Sequence, residues 1–186
     1  MGERGIAALE LALILPLLLI MAFGVIDFGR LIQARLIVTN VSREGGSLAS
    51  RGINSGNDLL SMLQSSGAPL DLNGLGRIYV SKIKAGTSIA APDPHPDPYI
   101  DPNSLWSAGN LGVSSVIGGQ SYLGLSPALY NHLVFNAGNQ TSDIAELWAV
   151  EVYYKYKPIT PLPQFIQNIL ITPGYDGMII GSKSVF

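Results

Sequence analysis

The chain opens on an apolar run that one ionisable group interrupts. Between Ile6 and Ile26 the single charged side chain is Glu10. At about 1.5 Å per residue this stretch reaches about 30 Å as a helix, the thickness of a bilayer core. The pattern predicts a membrane-spanning helix at about 6–26. Its internal Pro16 would cost about 3 kcal/mol in a water-exposed helix, but neighbouring helices and local adjustment make it tolerable in a membrane. The spacing then changes. Leu31, Ala34, Val38, Val41, Gly45 and Leu48 recur every three or four residues, which is one helical face. The helix is therefore expected to run on to about residue 51 and to lay this stripe on a globular part. Asp27 and Arg30, three residues apart at the water interface, are expected to form a solvated charge pair.

Shorter signals follow. Asn57-Asp58 reads as the cap of a helix over 59–66, ended by Gly67 and Pro69. Residues 77–85 (RIYVSKIKA) read as a strand whose alternation slips between Val80 and Ile83, a sign of a bulge or of cover on both faces. Residues 86–143 are irregular and rich in Gly, Ser, Asn and Pro; short strands are expected within them at 112–117 and 132–136. Residues 147–157 alternate strictly, with Trp148, Val150, Val152, Tyr154 and Tyr156 on one side and Ala149, Glu151, Tyr153, Lys155 and Lys157 on the other. Such alternation predicts a half-buried antiparallel strand. Pro158 stops it, Thr160 and Pro161 open a helix with Leu162, Phe165, Ile166, Ile169 and Leu170 inward, and Asp176-Gly177 turns into a last strand at 178–185. The sum is an α+β fold: a long N-terminal transmembrane helix followed by a small antiparallel sheet with short helices.

Composition narrows the function. Net charge is −2 and no basic run occurs, so nothing points to a nucleic-acid partner. The chain has no cysteine, which excludes disulfide scaffolds, thiolate nucleophiles and Cys-based metal sites. No hydrolase, zinc-protease or phosphate-loop motif is present, and no cofactor is implied; the chain does not read as an enzyme. One segment, APDPHPDPYIDPNS, places Asp93, Asp97 and Asp101 near His95. Three carboxylates suit a hard cation such as calcium, but the EF-hand spacing is missing. A proline-stiffened exposed loop is the simpler reading, and no metal is assigned.

The N-terminus itself carries the sharpest motif. The apolar run is too long for a secretory signal peptide, and no small-residue cleavage site follows it. A cut after Gly5 would instead leave a chain beginning Ile6-Ala7-Ala8-Leu9-Glu10. Glycine there lets a protease approach an extended backbone. The carboxylate in the new first turns suits the positive end of the helix dipole, and can pair with the Ile6 ammonium of a neighbouring subunit. This arrangement resembles the processing signal of type IV pilin-like proteins.

The resemblance sharpens with Arg4-Gly5, Ala7-Ala8, Glu10, Pro16, Gly24, Asp27-Phe28-Gly29-Arg30 and Ser42-Arg43-Glu44-Gly45-Gly46. In this order they resemble the N-terminus of the TadE-like family, pilin-like accessory proteins of the tight-adherence (Flp) pilus machinery. Ser42 and Gly46 depart from the family pattern, which has alanine at both. The resemblance implies a 1–5 leader removed by a prepilin peptidase, a 6–51 helix and an extracytoplasmic 52–186 domain. It also implies a place in the inner membrane, with other pilin-like subunits and the assembly platform as partners and a structural role as minor pilin or pseudopilin. Arg30, Arg35 and Arg43 follow the span while Arg4 precedes it, so the arginine count alone points to the opposite orientation. The competing reading is an unprocessed single-pass anchored binding protein, calcium-dependent through residues 93–101.

Overall fold

In the computed structural model of the protein, residues 3–52, 56–88, 90–91, 94–135, 144–160 and 171–186 are described, with side chains from Leu9 onward. One helix, α1 (Glu3–Ser50), runs without a break through Pro16. It is followed by α2 (Gly56–Ser66), β1 (Gly76–Lys84), β2 (Tyr99–Ala108), a 3₁₀ turn (Ser121–Gly124), α3 (Pro127–Leu133), β3 (Glu146–Tyr156) and β4 (Met178–Val185). The strands form one antiparallel sheet in the order β2-β1-β3-β4. The fold is α+β, as the patterns predict.

The predicted stripe on α1 is the one that packs. Ala34, Val38 and Val41 are buried against Ile78 and Val80 of β1, Val150, Val152, Tyr154 and Tyr156 of β3, and Ile180 of β4; Leu59, Leu60 and Leu63 of α2 complete this core. The slip in β1 has a simple cause. Its pairing with β3 is regular from Gly76↔Tyr154 to Lys84↔Glu146, so Ile78 and Val80 face α1 while Ile83 faces the other way. There Ile83, Leu147 and Ala149 meet Ile117, Leu125 and Leu133 in a second core. Each end of the strand is apolar toward a different layer. The bulge belongs to β2: its register against β1 jumps from Ser81↔Leu105 to Ile83↔Ile100, leaving 101–104 out of step.

Four expectations need correction. The α2 helix already includes Asn57 and Asp58, which lie in its first turn. The 86–143 stretch holds β2 and α3. Pro102 masked β2, but an edge strand with a bulge accommodates a residue that lacks an N–H donor. Residues 112–117 form no strand, and of the strand expected at 132–136, His132 and Leu133 close a helix capped by Ser126, whose Oγ accepts from Leu129 N, with Pro127 at its first turn, while residue 136 lies outside the described residues. Finally, β3 is not half-buried: Ala149 and Glu151, on its predicted outer face, are 1% exposed each. The predicted helix at 160–170 falls almost wholly outside the described residues, while β4 matches its predicted span.

Candidate functional site

Two halves of α1 present two different surfaces. From Leu9 to Ile26 the helix is apolar all round and touches little else. None of its most apolar stretch is buried. Leu13 and Val25 are each 72% exposed. A helix apolar on every side needs an apolar surround, and this one is long and apolar enough to cross a membrane. Gly5 and Ile6 lie in its first turns, and Glu10 and Pro16 sit on its exposed surface.

The junction with the sheet is built on Asp27. This side chain is 4% exposed. Its Oδ1 accepts from the Ile159 N–H (3.0 Å) and lies 3.4 Å from the Tyr156 hydroxyl, which donates to the Asp27 carbonyl at 2.9 Å. The Thr160 hydroxyl donates to Oδ2. Burial, and then the Asp27 charge, push the Tyr156 phenol up to about 12, so it stays a donor. The expected solvated pair with Arg30 is therefore wrong: Asp27 turns inward and ties α1 to the chain leaving β3. The signal was in the sequence. Asp27 precedes Leu31 by four and continues the 31, 34, 38, 41, 45, 48 stripe by one step. A carboxylate on a buried stripe must find donors, and the two residues after Pro158 supply them.

The rest of that motif faces outward. Phe28 is 63% exposed, a Cβ on Gly29 would meet nothing, and Arg30 is exposed and makes no hydrogen bond or ion pair among the described residues.

Higher on α1 the helix approaches the sheet closely. A Cβ on Gly45 would come within 2.8 Å of Leu63 Cδ1 and 3.0 Å of Val150 Cγ1, and one on Gly46 would overlap the Phe186 ring. Ser42, fully buried, donates to the Val150 carbonyl (3.1 Å) and lies 2.9 Å from the Ser184 hydroxyl. Arg43 and Glu44, between them, are exposed.

Residues 5–47 match the family model described as TadE-like protein. No curated protein and no solved structure matches the chain. The TadE-like segment thus covers the apolar half of α1, the Asp27 junction and the close approach at Gly45. The two departures from the family's pattern have local partners: serine at 42 reaches β3 and β4 by its hydroxyl, and glycine at 46 leaves room for the Phe186 ring of this chain. The match points to a pilus-associated protein of a structural kind.

Beyond the TadE-like segment lies a second buried carboxylate, which sequence reasoning placed on a solvated face. Glu151 accepts from Val116 N (3.0 Å), Ile117 N (3.5 Å), the Tyr153 hydroxyl (3.0 Å) and the Ser115 hydroxyl. It holds residues 115–117 over the outer face of the sheet. Lys183, its partner in register on β4, donates to the Gly124 carbonyl instead. Burial, with Glu151 beside it, raises the Tyr153 phenol.

The cation candidates separate. Asp101 sits at the β2 bulge, 2.8 Å from Lys84 Nζ, and accepts from Asn103 N (3.0 Å); the Lys84 hydrogen bond holds its carboxyl below the usual range. Asp97 is exposed and Asp93 lies outside the described residues. Among the described residues no group of three or more His, Asp or Glu converges.

Proposed function

We propose that this chain is a pilin-like structural subunit of a tight-adherence pilus machinery, a minor pilin or pseudopilin. In this reading a prepilin peptidase cuts after Gly5. Residues 6–26 then hold the protein in the inner membrane with the sheet domain outside the cytoplasm. Subunits associate through the bare apolar half of α1, and Glu10 pairs with the Ile6 ammonium of a neighbour. The observation that carries the proposal is the continuity of α1. One unbroken helix joins a bilayer-length apolar half bearing Glu10, none of whose most apolar stretch is buried, to a half seated on a sheet, and the TadE-like match spans both. A carboxylate within a membrane span costs roughly 2.5–3.5 kcal/mol at the centre and less near an end, so its retention calls for a partner.

Mass spectrometry of the mature N-terminus in cells with an active prepilin peptidase tests the processing step. A chain beginning at Ile6 is expected, and one beginning at Met1 overturns it. Glu10→Ala should leave cleavage intact and impair pilus assembly; normal assembly would remove the pairing role from Glu10.

A further inference from the structure

At the foot of the sheet, where α1 leaves its apolar half, Arg30, Gln33, Tyr154, Tyr156, Lys157 and Ile159 line a recess of about 120 Å³, backed by an apolar wall. We propose that this recess binds the phosphate head of a membrane phospholipid, and so seats the domain on the bilayer surface. The inference rests on the membrane placement of α1 given above.

Height is the first argument. The uncharged apolar run ends at Ile26, though Phe28 and Ile32 beyond it are also exposed, and Arg30 lies four residues on, about 6 Å along the helix axis. With the run filling the hydrocarbon core, Arg30 falls in the head-group layer. Ile159 is at the same level because its N–H bonds Asp27, and its side chain is 63% exposed. A large exposed aliphatic group at that height has the acyl boundary beside it. Tyrosines with an apolar body and a polar tip also suit this layer.

Charge is the second. The Arg30 guanidinium has no hydrogen bond or ion pair among the described residues, and neither has the Tyr154 hydroxyl. Lys157 shares the single carboxylate of Asp176 with Lys155, so these three keep one positive charge, while the Asp71 carboxylate acts on Tyr154 from the other side. The nearest buried anion, Asp27, already accepts from Ile159 N–H and from the Thr160 hydroxyl. The Arg30 guanidinium fork and the Tyr154 hydroxyl are the donors a phosphate would meet, with the Lys157 ammonium beside them on Asp176 and the Tyr156 hydroxyl already given to Asp27. Size is the third. At about 120 Å³ the recess has room for a phosphate group. The lipid is favoured over free phosphate because the recess opens at the level of the bilayer surface, beside Ile159.

The test uses the full-length protein, purified in detergent and stripped of lipid. Native mass spectrometry then counts bound phosphatidylglycerol, with glycerol phosphate and inorganic phosphate as separate additions. One retained lipid per chain is expected, and Arg30→Gln should lower its occupancy about tenfold, as loss of a charge-assisted contact would. Arg43→Gln, at another exposed arginine about 20 Å further along α1, should change nothing. Thermal melting of each variant shows that it is folded. Equal losses in the two variants, or none in Arg30→Gln, overturn the site. Binding of inorganic phosphate as tight as that of the lipid overturns the lipid assignment. Membrane fractionation of the wild type separates the readings: a protein that leaves the membrane fraction breaks the anchoring proposal, whereas a membrane-bound protein with no Arg30-dependent lipid breaks this one alone.

Discussion

One helix obeys two solvents. In residues 9–26 of α1 the large aliphatic side chains stand exposed on every side; in residues 27–49 one apolar stripe is buried on the sheet, while Phe28, Ile32 and Leu36 stay exposed on another face. The same residue types do different work in the two halves. Leucine in the first half has no protein partner and owes its place to an apolar surround, while valine in the second half owes its place to the sheet. The change occurs within one turn, at Asp27-Phe28-Gly29-Arg30. Asp27 closes the packed half by bonding the chain beyond β3, and its three successors stay outside.

That contrast can be broken at several points. The largest effect is expected at Gly45, where the helix comes closest to α2 and β3. Gly45→Leu should destabilise the domain by about 3 kcal/mol, since Leu63 and Val150 leave no room, and a calorimetric or dichroism melt of the full chain in detergent would show it. Matched truncations come next. Val38→Ala, at a residue 0% exposed, should cost about 2 kcal/mol, whereas Leu13→Ala should shift the same melt by less than about 0.5 kcal/mol. Equal costs would mean that the first half of α1 also packs on protein. Asp27→Asn should cost about 1–2 kcal/mol, because one carboxylate oxygen that accepts from Ile159 N–H or the Thr160 hydroxyl is lost. Hydrogen exchange at Ile159 should rise in that variant while β1 stays protected.

The smallest effect is on pH dependence. Tyr156 has its folded pKa raised to about 12, above the unfolded value near 10. Its contribution is therefore complete below pH 10 and is lost as pH rises through 12. Melts between pH 9 and 12 should fall less steeply for Tyr156→Phe than for the wild type. An unchanged slope would remove the phenol from the Asp27 junction.

Much of the fold was legible in local patterns. The bilayer-length run, the three-and-four stripe on α1 and the strict alternation of β3 each have a period that one kind of element satisfies. So does the Asp-Gly turn into β4. The proposed assembly residues Gly5, Ile6 and Glu10 rest on order along the chain alone. What escaped was what depends on a second layer. Strand β2 escaped because Pro102 reads as loop; only an edge position with a bulge makes it a strand. Helix α3 escaped because its apolar content is short and period alone does not separate it from a strand. Glu151 and Asp27 were read as solvated because a carboxylate on its own prefers water. Their burial is set by donors distant in sequence, 34 to 36 residues from Glu151 and 129 to 133 from Asp27.

From the order of residues alone came a membrane-length helix with an acid near its start, a stripe that must be covered, and an antiparallel sheet to cover it. Hydrophobic period and chain length suffice for these because each is a property of neighbours a few residues apart. The three-dimensional structure alone decided that both faces of β3 are covered, that Asp27 looks inward and Arg30 outward, and that Arg30 meets Tyr154 and Lys157 in one recess. Those outcomes turn on which distant groups satisfy a buried charge, and no local period encodes that pairing.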